Sequence, residues 1–103
     1  RKKWIISSLN SSGKIYIDQG AARALNQGNS LLPAGIIKVE GSFEKGENIL
    51  IVDENGKSLA RGLSSFTSSE INKIKGKQSK EIENILGYLS KSEIIHKDDM
   101  VKL

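Results

Sequence analysis

Few side chains in this sequence could do chemistry, and they are scattered. His96 is the only histidine and there is no cysteine. A structural zinc site, which takes four Cys or His ligands, is therefore excluded, and a lone histidine in a strand reads as a surface or packing residue. Asp98 and Asp99 could be a carboxylate pair, but acid–base hydrolysis needs carboxylates that converge from separate elements. Neighbours in a turn stay solvated instead. The stretch GKQS, Gly76 to Ser79, falls short of a phosphate loop: Ile71 stands where the first glycine belongs and Gln78 where Ser or Thr belongs. Lys73, Lys75, Lys77 and Lys80 form a basic cluster, yet Glu70, Glu81 and Glu83 interrupt it, as on a solvated helical face. The five aromatics (Trp4, Tyr16, Phe43, Phe66, Tyr88) lack the spacing of a ladder on which successive bases stack. Phe43 and Phe66 read as core.

The elements around these residues are short. KIYID, Lys14 to Asp18, alternates as a strand with Ile15 and Ile17 on one face. Asp18 then caps a helix whose face carries Ala21, Ala24 and Leu25, with Gly28 placed as the residue after the C-cap. Leu32-Pro33-Ala34-Gly35 fits a β-turn, and Leu31 and Leu32 are expected to tuck beneath or beside the helix. A strand follows from Ile36, its alternation predicting Ile37, Val39, Gly41 and Phe43 on the inner face. ILIVD, from Ile49, is apolar on both faces and so central. Asn55 and Gly56 suit a hairpin with φ > 0 at both. TSSE, Thr67 to Glu70, is a capping box that opens a helix with Ile71 and Ile74 inward and Gly76 as its stop. Ser79 opens a second late helix with Ile82, Ile85 and Leu86 inward, stopped by Gly87. EIIHK and MVKL read as a final pair of strands. The expected fold is mainly β with short helices: a small, partly open barrel of about five or six mostly antiparallel strands, one early helix and one or two late ones.

At 103 residues this is one domain with one modest core. Lys and Arg number 16 against 12 Asp and Glu, a net charge of +4. Arg1, Lys2 and Lys3 supply three of those charges; without them the balance is 13 against 12, or +1. A groove that neutralises several phosphates shows a clearer basic stripe. No apolar run approaches the ~18–20 residues of a membrane span, and the lack of cysteine fits a reducing compartment. The Ser/Asn-rich stretch before Gly13 reads as a linker, and a first residue other than Met reads as a fragment of something longer.

The order IYIDQGAARAL, then GNSLLPAGIIKVEGSFEKGENILIVDENGKSLARGLSSF, resembles the PUA domain, an RNA-associated pseudo-barrel. With RKKWI, SSEINKIKGKQSKEIENILGY and EIIHKDDMV, the whole chain resembles the C-terminal end of the bacterial glutamate 5-kinase (γ-glutamyl kinase) family. The resemblance implies a cytoplasmic, homo-oligomeric parent that phosphorylates the γ-carboxylate of L-glutamate with ATP and Mg²⁺ in proline biosynthesis. Residues 1–12 would be the linker and the end of an N-terminal amino-acid kinase domain, and 13–103 the PUA domain. No catalytic, cofactor or metal residue would lie in this chain, and its own kinase domain would be its partner. In RNA-binding relatives, RNA lies against the early helix, the following loop and strand, and the last strand. The matching positions are Gly20, Ala21, Leu32, Pro33, Gly35 and Lys102, with Arg23 the helix's one cation. The same small residues also suit the docking of turn on helix. A regulatory or structural module and an RNA-binding module both remain open at this point.

Overall fold

Alternating apolar residues and glycine-marked turns give a five-stranded sheet in the computed structural model, which describes residues 13–78, 81–87 and 93–102. Trp4, Ser79, Lys80 and Tyr88 lie outside the described residues, as do the basic residues 1–3. The strands are β1 (Gly13–Ile17), β2 (Ile36–Gly41), β3 (Asn48–Val52), β4 (Ser58–Leu63) and β5 (Met100–Lys102), in the order β2-β1-β3-β4-β5. β1 runs antiparallel to β2 and parallel to β3; the other pairs are antiparallel. β3 is central, as its apolar composition requires.

The tail differs from the expected pair of strands. Only β5 forms, and Ile95 makes an isolated bridge to Leu31. Ile94 and Ile95 are both fully buried, which strand alternation does not allow for neighbours on a one-sided sheet. Their main chain is shared out instead: Leu31 N donates to Ile95 O (2.9 Å), and Ser65 N to Ile94 O (2.9 Å).

β2 also departs from expectation. Ile37 is 47% exposed, whereas Ile36 is buried. The cause is a bulge. Ile15 faces Val39 and Tyr16 faces Lys38, but Ile17 faces Ile36, so Ile37 is the extra residue and the alternation is reset there. Val39 still packs on the core with Ile15, Ile17, Phe43, Ile49, Ile51 and Phe66. The β3–β4 hairpin needs positive φ at Gly56 alone (86°), not at Asn55. Its loop is three residues long, closed by Asp53 N to Lys57 O (3.0 Å) and Gly56 N to Asp53 O (3.0 Å). In such loops only the last residue is left-handed.

Among the described residues three helices flank the sheet: α1 (Gln19–Asn26), α2 (Ser68–Ile74) and α3 (Ile82–Leu86). The capping box forms at α2: Glu70 N donates to Thr67 Oγ1 (3.1 Å) and Thr67 N to Glu70 Oε1 (2.9 Å). This helix ties both flanks of the edge strand β2. Ser68 N donates to Phe43 O (3.0 Å), and Gly76 N to Pro33 O (2.8 Å). Tying the ends of an edge strand limits pairing with other chains.

On β2, Lys38 Nζ lies 3.2 Å from Glu40 Oε1 and over the Tyr16 ring. The Lys38 hydrogen bond first, then that of Tyr16, holds the Glu40 carboxyl below its ordinary value. A depressed carboxyl contributes stability above its unfolded pKa and loses it as pH falls through the folded one. Lys38→Met should therefore raise the Glu40 titration midpoint seen by NMR. An unmoved midpoint would show that the pair does not persist in solution.

Candidate binding cleft

Asp18 ends β1 with extended backbone, and its Oδ1 accepts from Ala21 N at 2.8 Å, capping α1. At the other end Gly28, with φ 86°, closes a Schellman motif: Gly28 N donates to Leu25 O and Asn29 N to Ala24 O, both 3.0 Å. The chain then turns back. Leu31 is buried against Ile95, and Pro33–Gly35 forms one 3-10 turn with Pro at its start. That turn docks on α1 through Asp18 N to Gly35 O (3.0 Å). A Cβ on Gly35 would sit 2.4 Å from Ala21 Cβ, so only glycine allows this approach.

Between α1 and the turn lies a cleft of about 610 Å³, within the usual range for ligand pockets. It brings together four of the predicted site residues, Gly20, Ala21, Leu32 and Gly35. Leu32 does not tuck under the helix; it is 48% exposed. Leu31 turns inward to its bridge, and on extended backbone the next side chain points the opposite way. Pro33 is buried and does not line the cleft. Arg23 lines a separate cleft with Asp53 and Glu54. Lys102 borders an adjoining pocket that shares Asn29 and Lys97, and its Nζ donates to Asn26 O at the end of α1 (3.0 Å).

Two charged lining residues were not foreseen: Glu93 and Lys97. The Leu31–Ile95 bridge carries them there, a pairing of distant segments with no local sequence signal. With Asp18, the charged lining is two carboxylates and one cation. Its walls are otherwise mostly small and apolar. His96 stands aside: Nδ1 accepts from Asp98 N (3.1 Å) and caps a short turn. Among the described residues no group of three His, Cys, Asp or Glu could hold a metal, and no helix is long and apolar enough to cross a membrane. The cleft can hold a ligand by shape and apolar contact, but it offers phosphates little counter-charge.

The family model of the PUA domain matches residues 13–86. The chain belongs to the PUA domain family. Over all 103 residues it is 60% identical to the glutamate 5-kinase of Pelagibacter ubique (strain HTCC1062), of which it spans 28%. It matches the C-terminal part of such kinases. A PUA domain of Aeropyrum pernix K1, solved as a tartrate complex, superposes with a TM-score of 0.62 at 24% identity, covering 82% of this chain and 41% of that one. An H/ACA ribonucleoprotein bound to a substrate RNA containing 2′-deoxyuridine gives 0.59 at 20%, covering 82% and 22%. At these identities the structural likeness shows the PUA fold alone.

Proposed function

We propose that this PUA domain is the non-catalytic C-terminal module of a cytoplasmic glutamate 5-kinase, where it serves regulation or assembly. The parent phosphorylates the γ-carboxylate of L-glutamate, and its kinase part binds ATP and Mg²⁺. The observation that carries the reading is the 60% identity over the whole chain, far above the 20% shared with the RNA-bound relative. The cleft agrees with it: two carboxylates face one cation where RNA-binding relatives would hold a polyanion.

The test is a parent truncated before Gly13. We expect phosphoryl transfer to persist with altered effector response or assembly state. Complete loss of activity in a folded truncation would overturn the reading. In parallel, binding of structured RNA to the intact parent should be unmeasurable at low salt. Tight binding with a steep salt slope, lost in Arg23→Glu, would establish the RNA module instead.

A further inference from the structure

The cleft beside α1 is charged unevenly from one end to the other, and the chain path shows why. One wall is α1, running from Asp18 towards Ala24; the other is the chain from Asn29 to Gly35. The walls meet at both ends: Asn29 N donates to Ala24 O and Asp18 N to Gly35 O, each at 3.0 Å. The second wall is bridged to the tail at Leu31 and Ile95 in antiparallel sense. Opposite chain directions put Lys97 on the Asn29 side of that bridge and Glu93 on the Pro33 side. Lys97 N donates to Ser30 Oγ (2.8 Å), which fixes the first of these. The carboxylates Asp18 and Glu93 therefore gather where α1 begins, and Lys97 stands where it ends. Lys102 brings a second cation to that end, its Nζ on Asn26 O.

These charges are not paired with one another. Asp18 Oδ1 accepts from Ala21 N, which leaves its second oxygen open. Among the described residues, the side chains of Glu93 and Lys97 make no hydrogen bond or ion pair, although both line the cleft. The helix sets their separation: from Asp18 to Ala24 it rises about 9 Å. The floor between is apolar. Ala21 and Ala24 line it, and so does Leu32, one of two large apolar side chains exposed among the described residues.

A ligand complementary to this cleft carries a cation and an anion at opposite ends of an apolar body. A polyanion meets two carboxylates at one end. A single amino acid bears both its charges on one carbon, too close together to span the cleft. A linear tripeptide spans it, since three extended residues reach about 10 Å. We infer that the α1 cleft binds a free tripeptide-sized zwitterion. Its ammonium sits at Asp18 and Glu93, its carboxylate at Lys97, and its middle side chain against Leu32. The inference goes beyond the kinase reading and does not depend on it.

Calorimetric titration of the full-length parent with the tripeptide Ala-Leu-Ala is the test. Acetylating the amino end, or amidating the carboxyl end, should each weaken binding about three- to tenfold, the worth of one charged contact. Glu93→Gln should weaken binding of the free peptide but not of the acetylated one. Lys97→Met should weaken binding of the free peptide but not of the amidated one. Lys77→Met, the same charge change on an exposed lysine outside the cleft, should alter nothing. These pairings of peptide end with residue distinguish the cleft from a peptide site elsewhere on the protein. Four results overturn the inference. The first is no binding at millimolar peptide. The second is equal binding of a peptide blocked at both ends, which would make the occupant an internal protein segment. The third is equally tight binding of free leucine, which would refute the span. The last is binding that neither Glu93→Gln nor Lys97→Met alters. A parent that shows the pairings but fails to phosphorylate glutamate sinks the functional reading alone.

Discussion

Phe66→Ala is expected to destabilise the domain by about 3–5 kcal/mol, the range for removing a buried aromatic. Phe66 is 1% exposed and sits in the core with Ile15, Ile51, Ile71 and Ile94. It also stands where the sheet hands the chain to α2, directly before the Thr67 N-cap. The handover is fixed around it: Ser64 Oγ accepts from Phe66 N (3.2 Å) and donates to Phe66 O (2.5 Å). Truncation leaves a cavity that these bonds prevent from closing. Native domains have only ~5–15 kcal/mol in total, so the variant should be marginal. With an m-value of ~1–3 kcal/mol/M in urea, the midpoint should fall by about 1 M or more. Leu32→Ala, at a 48% exposed site, should stay within about 0.5 kcal/mol. Equal effects at the two positions would show that the division between core and cleft is wrong.

The division was only half legible in the sequence. Capping residues were readable because their chemistry is local: Asp18, Thr67 and Glu70 each satisfy a backbone group three residues away. Gly28, Gly56 and Gly76 were readable as punctuation, and all three take positive φ. The central place of β3 followed from its apolar run. What failed was parity. One bulge opposite Ile17 reversed the fate of Ile36 and Ile37, and no residue type marks it. The cleft was legible as far as a family pattern could carry it, which placed Gly20, Ala21, Leu32 and Gly35 together. Its charge was not, because Glu93 and Lys97 arrive through a bridge between residues 64 positions apart. Those two residues set one further carboxylate and the one cation beside Asp18, so the functional weight of the site lies in its least readable part.

Gly35→Ala should cost about 1–3 kcal/mol through overpacking, although Gly35 has no positive φ and alanine suits its backbone. The penalty comes from one contact, the 2.4 Å separation between the new Cβ and that of Ala21. The neighbouring main chain cannot yield freely, since Gly35 O accepts from Asp18 N and Asp18 caps α1. Ala21→Gly alone should cost about 0.5–1 kcal/mol, the ordinary price of glycine within a helix. Combined, the two changes remove the clash, so the double variant should be more stable than Gly35→Ala alone. A coupling of about 1–2 kcal/mol is expected from a urea denaturation cycle, well beyond the ~0.3–0.5 kcal/mol scatter of independent sites. Strict additivity would show that the turn and helix do not touch as described. A coupled result locates the reason for these small residues inside the fold. The same pair in an RNA-binding relative would then be no evidence that this cleft binds RNA, because docking the turn on α1 already requires it.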